Sequence, residues 1–246
     1  ESWAWRIPFA IGGLLAVVVF FIRMGLEESP SYIAAQASGA ERSRAMLLVT
    51  RFPRETLTIF VLTSAGSLAF YAYTTYMQKF LVNTSGFSKD TATLISAGSL
   101  LAYMLIQPLV GALSDKVGRK TTLIFAFAVG MVITYPLLNA IAGTHDALAA
   151  FGMVVALLVV LSGYTAVNAV LKAELFPAHV RALGVALPYA LANSIFGGSA
   201  EYAALSFKQA GREDGFYIYV AVVMAAGQIA AVRLRDTNRE SLIAED

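Results

Sequence analysis

Seven stretches of mostly apolar residues constrain this chain more than any other feature, because each is long enough to cross a lipid bilayer. About 20 apolar residues span the hydrocarbon core as an α-helix. Backbone groups in lipid find no water, so each stretch must satisfy its own hydrogen bonds as a helix. The predicted fold class is therefore all-α, a polytopic helical membrane bundle. The predicted spans cover residues 7–24, 56–82, 91–113, 121–142, 147–171, 182–207 and 216–232.

The composition supports this class and excludes several others. Of 246 residues, 58% are hydrophobic and 14% are charged, with a mean hydropathy of +0.67. A soluble domain of this size could not bury that much apolar surface. The net charge of +2 indicates no nucleic-acid partner, and the absence of cysteine excludes disulfides and thiol chemistry. We expect no cofactor, no metal site and no enzymatic activity, because no catalytic constellation stands out.

A polar segment separates the first span from the other six and suggests the domain organisation. We predict that residues 1–26 end one half, 27–55 form a central loop, 56–232 form a six-helix half, and 233–246 form a tail. The chain opens directly into a span without a methionine, so we expect it to be part of a longer protein. The charged residues of the central loop are Glu27, Glu28, Glu41, Arg42, Arg44, Arg51, Arg54 and Glu55.

The distribution of basic residues predicts the orientation, because cytoplasmic loops are enriched in lysine and arginine. Placing the central loop and the tail in the cytoplasm puts thirteen of the 18 basic residues on that side. The cytoplasmic residues would be Arg23, Arg42, Arg44, Arg51, Arg54, Lys116, Arg119, Lys120, Lys172, Arg181, Arg233, Arg235 and Arg239. The opposite side would hold Arg6, Lys79, Lys89, Lys208 and Arg212.

The loop GALSDKVGRK, residues 111–120, lies between two predicted spans. Gly111 is expected to let two helices pack closely, and Asp115 to cap a helix end and pair with a base. Gly118 would turn the chain. Arg119 and Lys120 would hold the loop on the cytoplasmic side.

Glu174 and Arg181 flank Pro177 at the adjoining ends of the fifth and sixth spans. With Asp115 and Arg119 they could build a cytoplasmic charge network. Salt bridges that break and form again would provide a two-state latch. The alternative is a static surface pair.

Several motifs resemble a known family. The loop at 111–120 is similar to the signature loop G-x-x-S-D-x-x-G-R-[RK] of the major facilitator superfamily. WRIPF at 5–9, EESP at 27–30 and AELFPAHVR at 173–181 resemble the metabolite:proton symporters within it. Two longer stretches resemble the α-ketoglutarate-carrying branch of these symporters. They are AGSL, FY, TTYMQK and LVNT within 65–84, and AN and IFGGSAEY within 192–202.

The resemblance implies twelve spans in two six-span halves in a bacterial inner membrane. It implies proton symport of a small organic anion by alternating access, with α-ketoglutarate favoured over citrate, shikimate or a betaine-like zwitterion. This chain would then carry spans six to twelve. Its partners would be the anion, protons, membrane lipid and the missing amino-terminal half. A non-transporting sensor or scaffold is the alternative from another class.

Polar side chains at helical spacing mark one face of several spans. Such faces avoid lipid, since buried polar groups need partners, and four of them together predict a shared polar path. The alternative is hydrogen bonding between helices without a ligand. The candidate substrate-binding residues are Tyr71, Thr74, Gln78, Lys79, Tyr103, Gln107, Tyr164, Asn168, Tyr189 and Asn193.

Two charged residues lie near the outer ends of predicted spans. Lys79 is a candidate to attract an incoming carboxylate, although a lysine at that depth also snorkels to the headgroups. Glu201 is a candidate proton-sensing residue. A structural partner such as Lys79 is the alternative for Glu201.

Overall fold

The computed structural model describes residues 3–4, 6–25, 33 and 45–234. The chain divides into two compact units between Glu41 and Arg42. In the first unit, α1 spans Arg6–Met24 with a mean hydropathy of 2.3. Together with six spans of the second unit, this gives seven helices that are long and apolar enough to cross a membrane. The predicted number of spans is confirmed.

The second unit is built from helices, and its described residues contain no strand. Its elements are α2 Ala45–Thr50, α3 Pro53–Tyr73, α4 Met77–Asn83, α5 Lys89–Val117, α6 Arg119–Gly143, α7 Ala147–Thr165, α8 Asn168–Glu174, α9 Ala178–Ala192, a π-helical segment Asn193–Gly197, α10 Ala200–Gln209 and α11 Glu213–Arg233. The helices extend a few residues beyond the predicted spans.

Much of the predicted central loop and tail cannot be compared with the structure. Within residues 27–55, the structure describes Ile33 and residues 45–55, which contain α2 and the start of α3. Arg54 and Glu55 therefore belong to a helix rather than to a loop. The predicted residues outside the described part are Trp5, Glu27, Glu28, Ser29, Pro30, Glu41, Arg42, Arg44, Arg235 and Arg239, with most of the tail.

Three of the predicted continuous spans are interrupted. The second is divided into α3 and α4, and the fifth into α7 and α8. At the first break, the Phe70 carbonyl accepts from the Thr74 hydroxyl at 2.5 Å and from the Thr74 N–H at 3.0 Å. The Tyr76 N–H then reaches back five residues to the Tyr71 carbonyl at 2.9 Å. In the sixth, the Gly198 N–H donates to the Asn193 carbonyl at 2.8 Å, a bond that reaches back five residues. Hydropathy does not detect such breaks.

The six-span unit is held together by close helix contacts around α3 and α11. Helix α11 packs against α6 and α3, α7 packs against α5 and α6, and α9 packs against α3. A Cβ on Gly227 would lie 2.6 Å from the Cβ of Ala65, so glycine permits the close approach of α11 to α3. The hydroxyls of Tyr73 and Thr134 share a hydrogen bond of 2.5 Å between α3 and α6.

The loop at 111–120 is a tight turn between α5 and α6. Gly118 alone separates the two helices and has a φ of 96°, a conformation that favours glycine. Its N–H donates to the Ser114 carbonyl at 2.8 Å and ends α5. The expected turn at Gly118 is confirmed.

Two other expectations for this loop have different outcomes. A Cβ on Gly111 would meet no atom within 4 Å among the described residues, so the close packing expected at this glycine does not occur between the described helices and stays a prediction for the rest of the protein. The expected helix cap is wrong. Asp115 lies inside α5 and does not cap it, because the helix continues to Val117 and ends at Gly118.

Candidate functional site

A cavity of about 170 Å³ lies between α3, the junction of α7 and α8, and α9. This volume suits a small metabolite, since drug-sized ligands occupy pockets of about 300–1,000 Å³. Aromatic rings and uncharged polar groups form its wall. The lining residues are Gly66, Ser67, Phe70, Tyr71, Tyr164, Thr165, Asn168, Tyr189 and Asn193.

Two glycines bring the tyrosine rings of the cavity into place. A Cβ on Gly66 would overlap the Tyr164 ring, so only glycine lets this ring lie against α3. A Cβ on Gly197 would lie 2.8 Å from the Tyr71 ring and 3.0 Å from the Asn193 amide oxygen. Tyr164 and Tyr71 can therefore take these positions because the residues that face them, Gly66 and Gly197, have no side chains.

The helix breaks occur next to the cavity. Thr165 ends α7 and Asn168 begins α8, so the interruption between them puts both side chains on the cavity wall. Asn193 begins the π-helical segment. Interrupted helices are typical of transporter binding sites, and π-helical turns are frequent at functional sites.

Asn168 carries a buried hydrogen-bond acceptor on the cavity wall. Its amide oxygen is buried and has no hydrogen-bond partner among the described residues. Buried polar atoms are nearly always hydrogen-bonded in proteins. Because Asn168 also lines the cavity, a bound molecule with a hydrogen-bond donor could provide the missing partner, whereas an anion would be bound by the amide N–H groups of the same side chain.

Lys172 is a buried basic residue beside the cavity. Its relative exposure is 2%, and its Nζ lies 4.6 Å from the ring centroid of Tyr189 and 5.7 Å from that of Tyr164. The same nitrogen donates to the Tyr164 hydroxyl at 3.4 Å. Within residues 45–234, no carboxylate lies within 4.0 Å of it.

The structure places Lys172 in the last turn of α8, near the end of the fifth span. Its assignment to the cytoplasmic side stays a prediction. Lys172 follows Asn168 by four residues, which is one turn of the same helical face. That spacing was the available signal, although Lys172 was not among the candidate binding residues.

The ten candidate binding residues separate into two groups. Those on the cavity wall are Tyr71, Tyr164, Asn168, Tyr189 and Asn193. Those outside the wall are Thr74, Gln78, Lys79, Tyr103 and Gln107. The side chains of the second group have other polar partners in the described part of the structure, and their contact with substrate stays a prediction.

Tyr103 and Gln107 contact the site indirectly, through Thr165. The Tyr103 hydroxyl lies 2.6 Å from the Thr165 hydroxyl oxygen, and Gln107 Nε2 donates to the same oxygen at 3.0 Å. Both side chains thus fix a residue of the cavity wall from α5. Gln78 instead donates to Thr93 at 2.8 Å and joins α4 to α5.

Lys79 and Glu201 form an ion pair that joins α4 to α10. Their side chains are 53% and 36% exposed. The alternative assignment of Glu201 as a structural partner of Lys79 agrees with this geometry. Nearby, Lys208 donates to the Thr84 hydroxyl at 2.5 Å and lies 3.4 Å from the Glu213 carboxylate.

A charge cluster lies at the opposite ends of the spans, where α6 begins and α8 ends. Arg119 pairs with Glu174, whose side chain is 5% exposed, and lies 3.8 Å from the Asp115 carboxylate. Arg181 Nε donates to the Phe176 carbonyl at 3.1 Å. Lys120 is half-buried at the start of α6. The expected association of Asp115, Arg119 and Glu174 is present in the structure.

Comparison with known proteins identifies a family. The model of the Major Facilitator Superfamily matches residues 1–200 and 59–241 of the chain in two overlapping alignments. The chain is 44% identical to an alpha-ketoglutarate permease of Escherichia coli K12 over 95% of its length and 54% of the relative. It is 29% identical to a citrate-proton symporter of Klebsiella pneumoniae, covering 80% of the chain and 44% of the relative.

A further relative is a proline/betaine transporter of Escherichia coli K12. The identity is 26% over 98% of the chain and 50% of the relative. The chain thus spans about half the length of the curated relatives that it matches.

Proposed function

The chain belongs to the major facilitator superfamily, and we propose that it forms the carboxyl-terminal part, spans six to twelve, of a proton-coupled transporter of a small organic anion. The favoured substrate is α-ketoglutarate. The observation that carries the proposal is the cavity between α3, α7 and α9. Its tyrosine hydroxyls and amides suit the carbonyl and carboxylate oxygens of a small acid. The 44% identity to an alpha-ketoglutarate permease supports this substrate.

The cavity would provide half of the binding site. In transporters built from repeats, substrates bind near the bilayer midplane between the halves. We propose that Tyr71, Tyr164, Asn168, Tyr189 and Asn193 contact the substrate from this half. Tyr103 and Gln107 would hold Thr165 in place, and the missing amino-terminal half would close the site. The protein would act as a carrier and not as an enzyme.

The charge cluster would control the change between inward-open and outward-open states. Arg119 joins the start of α6 to the end of α8, so motion between the fourth and fifth spans must break or move this pair. A pair that forms in one state and breaks in the other can act as a latch. We propose that Asp115, Gly118, Arg119 and Glu174 form it. Lys120 and Arg181 would contribute positive charge on the same side.

The proposed orientation places the charge cluster in the cytoplasm of a bacterial cell, below the inner membrane. Arg119, Lys120 and Arg181 lie at this end of the helices, and cytoplasmic ends are enriched in such residues. The Lys79–Glu201 pair would then lie at the outer end. There Lys79 would attract anions and Glu201 would be a candidate proton carrier.

Two other functions are alternatives to α-ketoglutarate transport. The citrate-proton symporter and the proline/betaine transporter share enough sequence to make another metabolite the first alternative. A non-transporting sensor or scaffold is the second. The cavity and the buried polar residues of the spans favour a transporter, because a scaffold needs no polar path through its bundle.

The proposal can be tested with the full-length protein in proteoliposomes. Counterflow of labelled α-ketoglutarate should exceed that in protein-free liposomes, and an acid-outside gradient should drive accumulation. Excess unlabelled citrate, shikimate and betaine would show whether another metabolite competes better. Uptake that needs sodium and ignores protons would contradict proton coupling. Absence of any labelled exchange by folded protein would contradict transport.

A further inference from the structure

We propose that Lys172 recognises the negative charge of the substrate, so that it selects carboxylates over zwitterions and neutral molecules. This inference rests on the proposed function, because it names the charge-selective residue of the same cavity. It is carried by the position of the Lys172 Nζ, which contacts two tyrosines of the cavity wall and has no acidic partner in the described part of the chain.

The burial of Lys172 requires an explanation. An ammonium group at 2% exposure loses its hydration, and such groups are normally paired with an acid or held by several acceptors. Glu174, two residues further along α8, is already paired with Arg119. Among the described residues, only the hydroxyl and ring of Tyr164 and the ring of Tyr189 hold the Lys172 amine.

These partners are weaker than a carboxylate. The hydrogen bond to Tyr164 is long, at 3.4 Å, and a cation–π contact is worth about 0.5–2 kcal/mol. A carboxylate in the cavity would replace them with an ion pair, and opposite charges attract more strongly beside a buried amine than in water. The flexible four-carbon stem of lysine lets the amine move toward such a ligand. The structure thus places a basic amine beside a cavity whose lining residues are uncharged.

The same geometry disfavours a quaternary ammonium substrate. Tyrosine faces are suited to bind such cations. The Lys172 amine lies over the face of Tyr189, only 4.6 Å from its centroid. A cationic substrate in the cavity would find the Tyr189 ring already covered by the Lys172 amine, and the positive charge of that amine would repel it. Such repulsion excludes wrong ligands, and it would separate this protein from relatives that carry betaine.

The test is a double-mutant cycle between Lys172 and the carboxylates of the ligand. Purified full-length protein is compared with Lys172→Met, and the probes are α-ketoglutarate and its two monoamides, each of which lacks one negative charge. We expect wild-type protein to bind α-ketoglutarate at least tenfold more tightly than one of the monoamides. In Lys172→Met this preference should fall to less than twofold.

Control variants separate charge recognition from folding. Lys172→Arg keeps the charge and should retain most of the preference. If Lys172→Met does not fold, Lys172→Gln is used for the same comparison, because it keeps a hydrogen-bond donor near Tyr164. A structural role would weaken all three probes equally and leave the preference unchanged.

Each result has one interpretation. An unchanged preference in folded Lys172→Met or Lys172→Gln would overturn the assignment of Lys172 and leave the proposed function intact. Loss of the preference in Lys172→Arg as well would also overturn it. Failure of wild-type protein to bind α-ketoglutarate or any other organic anion would overturn the proposed function, and this inference with it.

Discussion

The guanidinium of Arg119 pairs with the buried carboxylate of Glu174, so the first turn of α6 is tied to the last turn of α8. Arg119 also lies 3.8 Å from Asp115, but this second carboxylate is 68% exposed. The two acids therefore contribute differently to the same arginine. Glu174 is the inner partner, and Asp115 is the outer one.

Replacing Glu174 with Gln should destabilise the protein more than replacing Asp115 with Asn. Removing one member of a buried ion pair costs about 3–5 kcal/mol, whereas an exposed pair contributes about 0.2–1 kcal/mol. Because Arg119 is partly exposed, we expect a loss toward the lower end of the first range. Thermal unfolding of the purified variants in detergent measures the difference. Equal shifts in Tm would show that burial of Glu174 does not strengthen the pair.

The Asp115→Asn variant should transport more slowly while still binding substrate. Asp115 lies near the end of α5 and is not part of the cavity wall, so it should affect the change of state rather than the contacts. A typical coupling of about 1–3 kcal/mol would change the populations about 5- to 150-fold. Equilibrium binding and counterflow should be measured on the same preparation. Loss of binding by folded protein would assign Asp115 to the site instead.

Substitution of Gly66 by Ala should damage the cavity. Its new methyl group would occupy the position of the Tyr164 ring, which must move away from α3. Overpacking of this kind costs about 1–3 kcal/mol, and we expect weaker substrate binding because Tyr164 lines the cavity. Gly152→Ala in α7 is the matched control, since its Cβ would meet no atom within 4 Å. Similar affinities in the two variants would count against a role for Tyr164.

Substitutions at the cavity wall should weaken binding more than substitutions behind it. Asn168→Ala removes an amide from the wall, and a hydrogen bond to a charged ligand is worth about 1.5–3 kcal/mol, so the Kd should rise about tenfold or more. Tyr103→Phe removes only the hydrogen bond to Thr165 and should raise the Kd by less. Isothermal titration with α-ketoglutarate tests both. A larger effect of Tyr103→Phe would indicate that the substrate binds closer to α5.

Uptake by the Lys79→Ala variant should be reduced mainly at low salt. Lys79 is about half exposed, so its attraction for anions acts through solvent and is screened at high ionic strength. Initial uptake rates at about 0.01 M and 1 M salt provide the comparison, and Lys79→Arg, which keeps the positive charge, is the matched variant. A deficit that persists at high salt would indicate a direct contact with substrate or a structural role.

The sequence by itself determined the number and type of the main elements. Each span had to be a helix because lipid offers the backbone no hydrogen-bond partners. Gly118 was correctly predicted as a turn, since a chain that reverses between two helices needs a conformation that glycine adopts easily. Helical spacing also selected Tyr71 and Asn168, because it defines which residues share a face.

Only the tertiary structure decided which faces meet and where the helices break. Tyr103 and Asn168 both lie on polar faces, yet Tyr103 contacts Thr165 from outside the cavity and Asn168 lines it. Lys172 could not be placed by its charge alone, because the break between α7 and α8 brings it beside Tyr164 and Tyr189. Periodicity describes one helix at a time, whereas a binding cavity is formed by the packing of several.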